Sequence, residues 1–197
     1  MTDLAAFWPP GQPASLRERL RSAYADPARG YHDLLHLTEV LTHVDALMAP
    51  DDPRREAVLL AAWFHDAVYD GRGDDEERSA RLAVSTLGDS PLGHEVARLV
   101  RLTASHRPDD DDLAGQVLCD ADLGILAADP DRYAAYTVGV RREYAHVPDT
   151  DFAAGRAAML RDLLAKPTLF HTAHARREWE ARARANVEAE LARIAAG

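Results

Sequence analysis

AVLLAAWF, residues 57–64, followed at once by His65-Asp66, is the stretch that decides how this chain folds. Eight consecutive apolar residues leave no polar face, so the helix predicted over 53–68 is buried on all sides. Upstream, Leu34, Leu37, Leu41, Val44 and Met48 recur at steps of three and four. That spacing is one apolar stripe on a helix over 33–49. Downstream, VLCDADLGIL (117–126) spreads Val117, Leu118, Ala121, Leu123, Ile125 and Leu126 around most of a helical circumference. A second central helix is therefore expected over 111–128. With Pro and Gly as punctuation, further helices are predicted over 14–25, 74–88, 92–106, 130–146, 150–165 and 173–195. The last is rich in Arg, Glu and Ala and reads as a solvated outer helix. No alternation of period two persists. The expectation is an all-α bundle of about nine helices, without significant sheet, forming a single domain over 1–197.

Composition agrees. Hydrophobic residues make up 47% of the 197 residues but aromatics only 7%. The core must therefore be mostly Ala, Leu and Val, which suits close helix packing. The formal charge is −10, from 23 basic and 33 acidic residues. That balance argues against a broad nucleic-acid surface. It leaves room for a small phosphorylated substrate, because a bound cation inverts the field of one cleft. Cys119 is the one cysteine, so no intramolecular disulfide forms, as in a reducing compartment. The N-terminus lacks a basic region and a long apolar run. No stretch reaches the roughly 18 apolar residues of a membrane span. A cytoplasmic protein that does not enter membranes is expected, with its oligomeric state open.

Polarity then occurs where it is expensive. His65 and Asp66 end the apolar run, Asp120 and Asp122 interrupt an apolar helix, and His36 borders a core-facing stripe. An isolated buried carboxylate costs several kcal/mol or is neutralised, so such groups need partners. Imidazoles and carboxylates from three helices can surround a divalent cation with positions left for water. Helical projection sends Asp120 and Asp122 to opposite sides, so at most one is a direct ligand. A histidine at a helix edge or an aspartate in a helix also occurs without any metal.

The order His36, His65-Asp66, Asp122 resembles the H…HD…D pattern of the HD superfamily. YHDLLHL (31–37), AAWFHDAVYD (61–70), DDEERSARLA (74–83), DADLGIL (120–126) and RREYAHVPD (141–149) are similar to the metal-dependent HD phosphohydrolases. The similarity runs from about residue 31 to residue 171. It implies that His36, His65, Asp66 and Asp122 hold one divalent ion, of Mn, Mg, Fe, Co, Ni or Zn. It also implies hydrolysis of a nucleotide or another small phosphorylated metabolite by metal-activated water.

Within that reading Asp66 doubles as a catalytic residue, and Asp70 or Glu77 steers the water or relays a proton. Asp70 has a structural alternative as a turn residue before Gly71, and Glu76 and Glu77 complement a helix dipole. His106, Arg142 and Tyr144 are the expected substrate contacts, with Arg141 beside them. Enzymes of this superfamily that hydrolyse guanosine tetraphosphate carry Glu-Asp where this chain has Tyr69-Asp70, a departure that speaks against that substrate. His32, His43, His94, His146, His171 and His174 receive no role beyond structure. Two other classes remain open: a non-catalytic nucleotide-binding or ligand-binding HD module, and a di-iron HD oxygenase drawing on His94 and His106.

Overall fold

The computed structural model describes residues 3–71 and 73–196, and among these every regular element is helical. The α-helices are α1 (Ala14–Tyr24), α2 (Leu34–Leu47), α3 (Arg55–Phe64), α4 (Asp75–Leu87), α5 (Pro91–Leu102), α6 (Leu113–Leu123), α7 (Pro130–Glu143), α8 (Asp149–Ala165), α9 (Ala173–Glu178) and α10 (Glu180–Ala196). Short 3-10 turns cover Leu4–Phe7 and Gly124–Ala127. None of the helices is long and apolar enough to cross a membrane.

Helix α3 sits at the centre. Every residue from Ala57 to Phe64 is buried, and α2, α4, α5 and α6 pack around it. Helix α6 is nearly as enclosed, with Val117 to Ala121 all buried. Local chemistry marks the ends. Asp33 caps α2 by accepting from the backbone N–H groups of Leu35 and His36. Ser90 caps α5, with Pro91 at its first position.

The apolar core has two parts. One joins α1 to α6; the other joins the 3-10 turn at 124–127 with α7, α8, α9 and α10. They meet at the end of α6. Gly30 and Gly139 lie back to back, with no room for a Cβ on either, which seats the loop before α2 on α7.

Three expectations need correction. The helix predicted over 92–106 stops at Leu102, and turns carry the chain to His106, whose φ of +50° is left-handed. The helix predicted over 111–128 ends at Leu123 and tightens into a 3-10 turn. The stretch 173–195 is neither continuous nor wholly solvated. It breaks at Trp179, and Glu180 reaches back to accept from the N–H groups of Leu169 and Phe170. Beyond the break, Ala183, Val187 and Glu190 are buried.

Candidate metal centre

The site grows out of three helix ends. His36 lies in the first turn of α2, His65 closes α3, Asp66 follows in the turn, and Asp122 is one residue from the end of α6. His36, His65 and Asp66 are buried, and their donor atoms gather closely enough to hold a metal ion. The His36 and His65 Nε2 atoms are 3.1 Å apart. Asp66 Oδ2 stands 3.3 Å from the first and 3.0 Å from the second. Asp122 Oδ1 lies 3.2 Å from His36 Nε2 and 3.6 Å from His65 Nε2. A metal with bonds of about 2.1 Å sets neighbouring donors about 3.0 Å apart in an octahedron and about 3.4 Å in a tetrahedron. The observed spacings bracket both.

Two further observations fit an ion better than a hydrogen-bonded cluster. Asp66 Oδ2 is buried and receives no well-directed hydrogen bond, although two imidazole nitrogens are close. His65 Nδ1 lies 2.8 Å from the Ala62 carbonyl oxygen. That contact requires the proton on Nδ1 and, in the neutral ring, leaves the Nε2 lone pair facing the other donors.

The electrostatics are strongly mutual. Burial alone would push the His36 imidazole down, but Asp122 and Asp66 outweigh it and lift it to about 10. His65 is raised against burial by the same carboxylates. Burial would lift Asp66 and Asp122, yet both sit below the usual carboxylate range. His65 is the largest opposing influence on each, joined by His32 and His36 at Asp66 and by His106 and His36 at Asp122. Two enclosed carboxylates demand positive charge where the donor atoms meet.

The surroundings hold these groups in place. The Tyr24 hydroxyl accepts from the Asp66 backbone N–H at 3.1 Å. Arg29, buried, donates through Nη1 to the His32 carbonyl at 2.7 Å and to the Asp66 carbonyl at 2.8 Å. His106 Nε2 meets Asp122 Oδ2 at 2.8 Å, leaving Oδ1 toward the imidazoles. Asp120 diverges from Asp122, as helical projection requires. It accepts from the His171 and Thr172 N–H groups and so ties the segment before α9 to α6, rather than orienting an imidazole of the centre.

A cavity of about 650 Å³ opens beside the centre, bounded by Asp122, His106, His32, Tyr69 and Tyr144 among others. His106 and Tyr144 therefore line the cavity. Asp70 instead pairs with Arg78, at 2.7 and 2.9 Å. Its turn is fastened by the Asp75 carboxylate, which accepts from the Gly71 N–H. Glu77 faces outward to Arg81 and Arg101, while its neighbour Glu76 lines the cavity. Arg142 is exposed and donates to the Pro27 carbonyl, outside the cavity wall. His94 is exposed against Asp89, away from His106.

Sequence reasoning missed His32 and Glu143. The Glu143 carboxylate accepts from the backbone N–H groups of Gly30, Tyr31 and His32 and meets His32 Nδ1 at 2.7 Å. The His32 ring lies on Tyr69, 4.0 Å between centroids, and 5.5 Å from the His36 ring. The pair spans 111 residues, and the only local signal was a histidine four positions before His36. Comparison with known protein families, curated proteins and solved structures returns no match for this chain.

Proposed function

We propose that this chain is a metal-dependent phosphohydrolase of the HD type, with His36, His65, Asp66 and Asp122 as the ligands of one divalent ion. The observation that carries the reading is the gathering of the His36, His65 and Asp66 donor atoms, with Asp122 Oδ1 3.2 Å from His36 Nε2, beside a ligand-sized cavity that Asp122 lines. Two aspartates and two neutral imidazoles sum to −2, the complement of a divalent cation. Nitrogen and carboxylate donors suit Mn, Mg, Fe, Co, Ni or Zn.

When bound, such an ion supplies Lewis acidity toward a phosphoryl oxygen and toward the attacking water. The protein contributes position and protons. His106 fixes which Asp122 oxygen faces the centre. Glu143 holds the His32 ring at the cavity wall by Nδ1, leaving Nε2 for a substrate oxygen, where it serves proton transfer. Lys166, which lines the same cavity, supplies positive charge for the phosphoryl group. The buried Asp66 side has little access to bulk water, which strengthens each of these interactions.

The test pairs metal analysis of the purified protein with a phosphatase screen of nucleotides and other small phosphate esters. Wild type should carry about one divalent ion per chain when turnover is maximal. Asp66→Ala should lose the ion and the activity together. Turnover that persists in Asp66→Ala and under full chelation would sink the proposal.

A further inference from the structure

The cavity beside the centre has both polar and apolar walls. Its polar wall includes His32, His106 and Asp122 beside the centre, with Glu76, Asp151, Arg156, Asp162 and Lys166 as well. Its apolar wall includes Ile125, Val140, Tyr136, Phe152 and Met159. A volume of about 650 Å³ falls within the usual range for small-molecule sites.

The charges on that wall decide what fits. Among the described residues its cationic side chains are Arg156 and Lys166. Arg156 donates through Nε and Nη2 to Glu190, at 2.8 and 3.1 Å, so its charge is already compensated. Lys166 remains, its Nζ within 3.4 Å of the His106 carbonyl oxygen. Against it stand Glu76, Asp151 and Asp162, the last paired with Arg107 at 3.2 Å. A divalent ion offsets Asp66 and Asp122 and leaves one lysine for the substrate. That suffices for a single phosphoryl group. A second or third would be desolvated among carboxylates with no cation to receive it.

We infer that the site takes a phosphomonoester of a largely apolar alcohol, its phosphoryl group at the metal end and its hydrocarbon along Ile125, Val140, Phe152 and Met159. The inference rests on the hydrolase reading above. The reaction is ROPO3²⁻ plus water giving ROH plus HPO4²⁻. The water oxygen forms a new bond to phosphorus and the ester P–O bond breaks. The departing alcohol oxygen takes up the proton the water gives.

The straight-chain series from ethyl to hexyl phosphate isolates the wall, because the leaving oxygen is chemically alike throughout. With the Mn-loaded chain, kcat/KM should rise by roughly two- to four-fold per methylene, the value expected for partial to full burial. ATP and pyrophosphate should turn over more slowly than ethyl phosphate. Met159→Glu, at a position exposed enough to tolerate the change, should lower turnover of hexyl phosphate more than that of ethyl phosphate. Calorimetry with non-hydrolysable phosphonates gives a second readout, in which hexylphosphonate should bind more tightly than ethylphosphonate by a similar factor. A flat series, a preference for ATP or pyrophosphate, or equal binding of the two phosphonates overturns the inference and leaves the hydrolase reading standing. If neither the monoesters nor ATP and pyrophosphate are hydrolysed, the hydrolase reading falls, and the phosphonate ratio still decides what the cavity accepts.

Discussion

At the residue scale, orientation of the ligands matters as much as their identity. Asp122 has two oxygens, and His106 occupies one of them at 2.8 Å. Removing that partner lets the carboxylate rotate, and changes of this kind typically weaken metal binding by about 10–100-fold. His106→Ala should show a loss of that size in chelator competition, with the fold intact by circular dichroism; unchanged affinity would mean that Asp122 is held by other contacts. Glu143 gives a test by pH. Burial would lift its carboxyl, but the His32 hydrogen bond and the backbone donors outweigh it and hold it at about 2. A group lowered on folding contributes stability that is complete above its unfolded value, about 4.5, and is lost as pH falls toward the folded one. Between pH 5 and pH 3 wild type should therefore lose about 2 kcal/mol more than Glu143→Gln in urea titrations. Equal losses would show that the carboxylate carries no such linkage. Neither residue's geometry could be read from the sequence. His65-Asp66 was legible because polarity after eight apolar residues is locally conspicuous, whereas the partners of Glu143 lie 111 to 113 positions away.

At the element scale, helices declared themselves where apolar pattern dominated and misled where alanine blurred it. Helices α3 and α6 were expected to be central and are. Helix α10 reads as a charged outer helix because its buried face is mostly alanine and valine, with Glu190 among them. That glutamate is no surface charge. Its carboxylate receives Arg156 from α8 at 2.8 and 3.1 Å and the Tyr133 hydroxyl from α7 at 2.6 Å, bolting three helices together. Breaking one side of a buried pair leaves the other charge without compensation and costs about 3–5 kcal/mol. Glu190→Ala should lose that much in urea unfolding, and Glu190→Gln, which keeps a polar acceptor, should lose less. A loss below about 1 kcal/mol, the size expected of an exposed pair, would show that α10 does not lock this layer. Helix ends were the other weak point. At the break at Trp179, Glu180 caps a loop ten residues upstream, a contact that periodicity does not encode.

At the scale of the whole molecule, the centre stands where the two parts of the core meet. His36 and His65 belong to helices of the first part, and Asp66 follows α3; Asp122 lies one residue before the end of α6, next to the turn that opens the second. An ion held by all four would fasten α2, the end of α3 and α6 to one another. Without it, two enclosed carboxylates depend on protons carried by the imidazoles. Any ligand that binds only the folded state stabilises it by mass action, by about 2.7 kcal/mol at a concentration 100 times Kd. For a chain of this length each kcal/mol moves Tm by about 2–4 °C. Saturating Mn should therefore raise the melting temperature of the chelated protein by roughly 5–11 °C at that ratio. The shift should follow metal concentration and disappear in Asp66→Ala. Glu190→Ala, altered far from the donor atoms, should melt lower overall and keep the full metal-induced rise, since effects at separate sites add. A wild-type protein that melts at the same temperature with metal and with chelator would separate the donor cluster from metal binding, whatever the geometry of its side chains.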